Sequence, residues 1–309
     1  MRLVSYSTAG VSGRRVGVQQ GNAVHDVSDL IARAPLERER QQQFDARGIV
    51  PAVGGLLRWL QLGPRARSTL ATLLQQRVTA DGQAGLPLAS VTLHAPLARP
   101  GKIVGVGRNY ADHAKETGVA PFEQPRIIFK VPSSVSDPGV AVRKPPAVLK
   151  MDFEAELAVV IGDFAHEVSV DQALACVAGY SALNDLSARE FQFDVSPAQT
   201  TFAKSVDGFC PMGPCVVTPD ELGDPQAQRV QCWVNDEPMQ DATTADMLFP
   251  VATLIAYLST YMTLEPGDVI ATGTPAGIGA FRTPPQWLAA GDRVRVSVSG
   301  VGVLENSIA

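Results

Sequence analysis

Hydrophobic residues recur along this chain with two different periods, and the switches between them mark out its elements. Near the start, Arg2-Leu-Val-Ser-Tyr and Arg15-Val-Gly-Val alternate apolar and polar positions, which predicts a strand pair around a glycine-rich turn. Leu56-Leu-Arg-Trp-Leu-Gln-Leu and Ser68-Thr-Leu-Ala-Thr-Leu-Leu-Gln-Gln then repeat at helical spacing, with Ser68 as the expected cap of the second helix. Arg38 to Gln43 is polar and reads as a loop or a helix surface. Two prolines and a glycine in Ala95-Pro-Leu-Ala-Arg-Pro-Gly interrupt both periods and place a junction there. A strand follows from Lys102 to Val106. The unbroken run Leu157 to Ile161 predicts a strand covered on both faces. Trp233-Val-Asn-Asp-Glu-Pro-Met reads as a hairpin turning at Asn235-Asp236, Phe249 to Tyr261 as an inward-packed helix, and Val269 to Thr274 as a strand entering a glycine loop. Arg293 to Val298 alternates as a half-exposed strand. Many strands with few helices favour a β-rich α+β fold over a doubly wound sheet. The expected division is a small N-terminal α+β domain over residues 1–94, a linker over 95–101 and a main domain over 102–309.

Composition narrows the functional classes. A chain of 309 residues exceeds the usual size of one hydrophobic core, and 45% apolar with 18% charged residues is ordinary for a globular protein. A net charge of −5 lacks the basic excess of a nucleic-acid surface. Cys176, Cys210, Cys215 and Cys232 form no Cys-x-x-Cys pair, so free thiols in a reducing cytoplasm are expected. Met1 to Gly10 has no apolar core of signal-peptide type, and the longest apolar runs are too short for a bilayer. The expectation is a cytoplasmic protein with neither a nucleic-acid nor a membrane partner.

Two glycine clusters invite a nucleotide-binding reading and fail it. In Gly105-Val-Gly-Arg-Asn-Tyr the third glycine of a dinucleotide fingerprint is replaced by Tyr110. Gly273-Thr-Pro-Ala-Gly-Ile-Gly lacks the Gly-Lys-Ser/Thr ending of a phosphate loop. His25 and His94 stand alone and read as structural or surface residues.

The acids carry more. Asp152, Glu154 and Glu156 alternate with Phe153 and Ala155, so an extended chain would set all three carboxylates on one strand face. Such a face is usually solvated, but here the polar residues stop at Glu156 and a buried run follows. Acids at the edge of a buried element need a partner, either a counter-charge or a divalent cation. Asp185, Arg189 and Gln192 stand at i, i+4 and i+7, which predicts one helical face with Asp185 at its entrance. Glu154, Glu156 and Asp185 form an all-oxygen set suited to Mg²⁺ or Mn²⁺, with Ca²⁺ also compatible, and the absence of His or Cys disfavours zinc. Asp152 is left supporting the set. His113 and Glu116 lie three apart, so on a short helix the carboxylate can orient the imidazole.

Six blocks in order, Lys102 to Glu116, Met151 to Gly162, Gly179 to Gln192, Lys204 to Pro214, Leu264 to Pro275 and Gly291-Asp-Arg, resemble the fumarylacetoacetate hydrolase family. The similarity is to its smaller bacterial-type members, which include acylpyruvases. It implies a mixed β-sheet roll and a homodimer built on the C-terminal domain. It also implies that His113 and Glu116 form a water-activating dyad on a lid ending near Gly118 to Pro121. Arg189, Gln192 and Lys204 match the family's donors to the tetrahedral oxygen, and Thr274 its substrate-carboxylate position, with Lys130 a further candidate for substrate contact. The expected reaction is metal-dependent cleavage of the C3–C4 bond of an acylpyruvate or related 2,4-dioxo acid, releasing pyruvate and a carboxylic acid. The alternative keeps the metal and the enolate but removes water attack, giving oxaloacetate decarboxylation or isomerisation of an unsaturated 2-oxo diacid. A catalytically idle metal- or sugar-acid-binding protein is the remaining class.

Overall fold

The computed structural model describes residues 1–309 apart from 81–84, 117, 119 and 121. Its centre is the strand Ala155–Ile161, in which every residue is buried. Ala155, Leu157, Val159 and Ile161 face one core, while Ala158 and Val160 face another. Burial on both faces explains why the sequence shows an apolar run here instead of alternation.

Around this strand a large sheet forms, with Val177–Asn184 antiparallel on one side and Val269–Ala271 antiparallel on the other. Ile103–Gly107 joins parallel to Val269–Ala271, and Arg126–Lys130 closes that edge antiparallel. The sheet is therefore mixed. In the other direction Cys210–Val217 follows, then Arg2–Ser7, Arg15–Gln20 and Ala23–Asp26. The strands before residue 94 thus share a sheet with those after 101, through the pairs Arg2↔Val217 and Leu3↔Val216. His94, at the junction, is held between Asp137 and Ser7 as a structural residue.

A five-stranded sheet containing Arg229–Val234, Glu237–Thr243, Arg293–Val298 and Gly302–Ile308 covers one core with Val230, Cys232, Val294, Val296 and Leu304. The opposite core is covered by the N-terminal helices, through Leu56, Trp59, Leu60, Leu70 and Leu74. Sheets dominate, as the β-rich α+β expectation requires. Asn235 and Asp236 turn the hairpin with φ of 51° and 68°, the two positive values that a two-residue turn of this type needs.

Several local expectations are corrected. The second N-terminal helix runs Pro64–Ala80, so Ser68 lies inside it and the helix starts on a proline, whose fixed φ suits a first helical position. The inward helix starts at Val251, because Pro250 stands at its N-cap. Asp152 and Glu156 do not share one strand: Met151–Asp152 pairs with Ser187–Ala188, and the ladder is interrupted at Phe153 and Glu154 before Ala155 begins the central strand. The expected helical face of Asp185, Arg189 and Gln192 is also absent, since Ser187–Ala188 is extended and the helix is only Glu190–Phe193.

Candidate active site

Ala155 lies directly opposite Asn184 in the antiparallel register, so the start of one central strand meets the end of its neighbour. That register, not helical spacing, brings Asp185 to Glu154 and Glu156. The backbone seals the junction: Asp185 N–H donates to the Glu154 carbonyl at 2.8 Å, and Glu154 N–H donates to Asn184 Oδ1 at 3.1 Å. One carboxylate oxygen from each of Glu154, Glu156 and Asp185 lies within 4.8 Å of the others, and all three residues are buried.

Three cations surround the acids. Lys204 Nζ donates to Glu154 Oε2 at 2.9 Å, Asp185 Oδ2 at 2.7 Å and Ser187 Oγ at 2.9 Å. Arg189 donates from Nε to Asp152 Oδ2 at 2.8 Å and from Nη2 to Glu154 Oε1 at 2.7 Å. Its Nη1 donates to Gln192 Oε1 at 2.9 Å, which leaves the Gln192 amide nitrogen as the group's remaining donor. Lys130 lies behind Asp185, with Nζ donating to Asp185 Oδ1 at 2.7 Å and to the Phe209 carbonyl at 2.9 Å. It is not among the residues lining the cavity.

Burial alone would raise the Glu154 carboxyl, but the adjoining Lys204 and Arg189 hold it down to about 2. Glu156 goes the other way: burial, reinforced by Asp185 and Glu154, pushes it well above the usual carboxylate range. The charges explain the contrast. Four acids (Asp152, Glu154, Glu156, Asp185) face three basic side chains (Lys130, Arg189, Lys204), and among the described residues Glu156 has no basic partner within ion-pair distance. A hard, all-oxygen set with one uncompensated buried acid fits a divalent cation.

The second glycine cluster, which carries no nucleotide signature, has its role here. It delivers backbone N–H groups to the site's carboxylates: Gly273 to Glu156 Oε2 at 2.8 Å, Gly277 to Glu116 Oε1 at 3.0 Å, and Gly279 to Asp152 Oδ1 at 2.8 Å. A side chain would not fit at two of these positions. A Cβ on Gly277, where φ is +102°, would come within 2.2 Å of the Met239 carbonyl oxygen, and one on Gly279 within 2.0 Å of that of Gln286.

His113 sits on the short helix Ala111–Glu116, buried, with Nδ1 3.0 Å from Glu116 Oε2. Glu116 is thereby fixed from two sides, by the imidazole and by Gly277. Of the lid segment expected to end near Gly118 to Pro121, residues 119 and 121 lie outside the described residues. Thr274 donates to the Ala155 carbonyl at 3.0 Å and accepts from Gln240 Nε2 at 2.7 Å.

These groups converge on a cavity of about 300 Å³, lined by His113, Glu154, Asp185, Arg189, Gln192, Lys204 and Thr274. Phe193, Ile278 and Phe281 supply apolar wall, and Gly105 and Gly107 strip side chains from its floor. A Cβ at Gly105 would lie 3.1 Å from the Ile128 carbonyl oxygen and 3.9 Å from Asp185 Oδ2, which gives that glycine cluster a steric purpose. Two cationic residues outside the expected set, Arg108 and Arg126, line the same cavity. The only sequence signal is at Arg108, which directly follows the strand ending at Gly107; Arg126 reaches the cavity through its antiparallel pairing with Gly107, which the sequence alone does not show.

Residues 102–309 match the fumarylacetoacetate (FAA) hydrolase C-terminal family. Human oxaloacetate tautomerase FAHD2A, mitochondrial, is 37% identical over 308 residues, covering 100% of this chain and 91% of the relative. Among solved structures, maleylpyruvate hydrolase from Sphingobium sp. SYK-6, in complex with manganese(II) ion and pyruvate, superposes with a TM-score of 0.77 at 29% identity, covering 100% and 98% of the two chains. Fumarylacetoacetate hydrolase from psychrophilic Exiguobacterium antarcticum superposes with a TM-score of 0.76 at 32% identity, covering 100% and 99%.

Proposed function

The chain belongs to the fumarylacetoacetate hydrolase family, and from that premise we propose that it turns over a 2-oxo acid by moving a proton at C3, interconverting its keto and enol forms. The observation that carries this reading is the His113–Glu116 pair bordering a cavity floored by buried acids. With Nδ1 engaged by Glu116, Nε2 is the ring atom left to carry the proton between C3 and the 2-oxygen, which gives the enol in one direction and the keto form in the other. A divalent cation held by Glu154, Glu156 and Asp185, either Mg²⁺ or Mn²⁺, would supply Lewis-acid stabilisation of negative charge on the 2-oxo oxygen.

The remaining residues position and neutralise. Arg189, clamped by Asp152 and Glu154, orients Gln192 so that its amide nitrogen can donate to oxygen charge in the cavity. Lys204 balances Glu154 and Asp185 and keeps both oxygens in place. Thr274 borders the cavity with its hydroxyl proton committed to the Ala155 carbonyl. Phe281, whose ring centroid is 6.1 Å from that of His113, helps to exclude water.

This reading is supported by full-length similarity to a relative named as an oxaloacetate tautomerase. A second reading is hydrolysis of the C3–C4 bond of a 2,4-dioxo acid such as an acylpyruvate. It uses the same dyad, with Nε2 activating water in place of removing a carbon-bound proton, and the maleylpyruvate hydrolase likeness supports it. Decarboxylation of oxaloacetate would break its C3–C4 bond and release CO2 and pyruvate enolate, without needing His113 as a base. The deciding experiment follows enol absorbance of oxaloacetate, and pyruvate release from oxaloacetate and from acylpyruvates, with products identified by NMR. Enol loss without pyruvate supports tautomerisation, and pyruvate with a carboxylic acid from an acylpyruvate supports hydrolysis. No turnover of any 2-oxo acid would overturn both.

A further inference from the structure

The cavity has two polar regions of opposite sign. The acids and their partners form the buried one. Arg108 and Arg126 form the other, both half-buried, with apolar wall from Ile128 and Ile278 sharing the lining. Neither guanidinium has a carboxylate partner among the described residues. Burial, together with the neighbouring Arg126 charge, pushes the Arg108 guanidinium below its usual range. Two like charges drawn together without a counter-ion are costly unless an anion joins them.

Their placement is built into the backbone. Arg126 is the cross-strand partner of Gly107, so the sheet register sets it beside the strand end that Arg108 follows, and a Cβ on Gly107 would meet Ile128 Cδ1 at 3.1 Å. Arg108 holds a φ of +56°, a left-handed conformation that a long side chain adopts at a cost. Phe122 is shared by both guanidiniums, with ring-centroid distances of 5.2 and 5.9 Å. An aromatic ring braces the pair but neutralises neither charge.

We propose that Arg108 and Arg126 bind a second carboxylate of the substrate, distal to its 2-oxo acid head, so that the enzyme selects 2-oxo diacids over monoacids of the same length. The proposal rests on the reading that the acid cluster receives a 2-oxo acid head. Two planar forks converging on one carboxylate would fix the far end of the substrate and set the reacting carbon against His113.

The test is calorimetric binding in the presence of Mg²⁺, with two unreactive ligands that share one oxalyl head and one length. N-oxalylglycine carries the distal carboxylate and N-ethyloxamate lacks it. The wild-type chain binds N-oxalylglycine about 10- to 100-fold more tightly. Arg126→Gln and Arg108→Asn, the latter tolerant of positive φ, each erase most of that ratio while N-ethyloxamate binding stays unchanged. Arg126→Lys restores part of it. Equal binding of the two ligands by the wild type, or a parallel loss of both in the variants, overturns the proposal. If the wild type shows the preference yet turns over no 2-oxo acid, the proposed reaction fails while the diacid site stands.

Discussion

Glu116 accepts from His113 Nδ1 at 3.0 Å with one carboxylate oxygen, while its other oxygen takes the Gly277 backbone N–H at the same distance. The carboxylate is thus anchored to the glycine loop, and the imidazole inherits that anchorage. His113→Ala is expected to lower turnover by ~10²–10⁴-fold, the usual contribution of a positioned general base. Glu116→Gln loses less, because an amide can still accept from Nδ1. Both variants retain divalent-cation binding. Wild-type turnover by His113→Ala would remove the dyad from the chemistry and favour decarboxylation.

Cation removal follows from the uncompensated Glu156. Chelation should abolish turnover, and Mg²⁺ or Mn²⁺ should restore it. Because the cation binds the folded chain, saturation at a hundred times its dissociation constant stabilises folding by about 2.7 kcal/mol. A Glu154→Ala/Glu156→Ala double variant should show no such rise in melting temperature. An undiminished rise would place the cation elsewhere.

Lys130 separates substrate contact from structural support. Its ammonium is wholly buried and satisfied by Asp185 and by backbone carbonyls. Lys130→Met leaves Asp185 short of a buried partner, and the expected cost is about 3–5 kcal/mol of folding stability by denaturant titration. A rise in KM with unchanged stability would instead mean that the lysine reaches substrate.

Assembly can be tested through the sheet's open edge. Arg126–Lys130 ends the large sheet, and Phe129, Val131 and Phe202 are exposed apolar residues on or near it. Such an edge is a template for further association. Sedimentation at micromolar concentration is expected to give about twice the 32.7 kDa chain mass, and Phe202→Glu to shift it towards monomer. A wild-type monomer at every accessible concentration counts against the dimer.

The elements were legible where burial imposes a period. Leu157 to Ile161 reads as a doubly covered strand because both of its faces meet apolar layers, and Arg293–Val298 alternates because one face is only half-buried. The acid triad was legible as chemistry but not as geometry. Its convergence depends on the Ala155↔Asn184 register, and pairing between strands leaves no spacing signal in a single sequence. The glycine loop was hidden for a related reason. Its N–H groups are backbone donors common to every non-proline residue, so only the fold reveals that they hold Glu156, Glu116 and Asp152. Arg108 and Arg126 carry no motif that sets them apart, and only the fold shows that they line the cavity with no ion-paired acid among the described residues.

Lys204 offers the sharpest separation of cation binding from catalysis. All three of its ammonium protons are directed within the cluster, to Glu154, Asp185 and Ser187. The same charge that steadies Glu154 and Asp185 competes with a divalent cation for their oxygens. Removing it makes the acid set more negative, so Lys204→Met should bind Mg²⁺ more tightly, by at least ~10-fold, since even at a water-like dielectric a unit charge about 4 Å from a divalent ion is worth about 2 kcal/mol. Asp185→Asn changes the balance in the opposite direction and should weaken Mg²⁺ binding. Turnover falls in both, because Lys204→Met also loses the group that fixes Glu154 and Asp185. Calorimetric Mg²⁺ titration of the two variants reads the opposed shifts directly. A weaker affinity in Lys204→Met would mean that the lysine's hold on the ligand oxygens outweighs its competing charge.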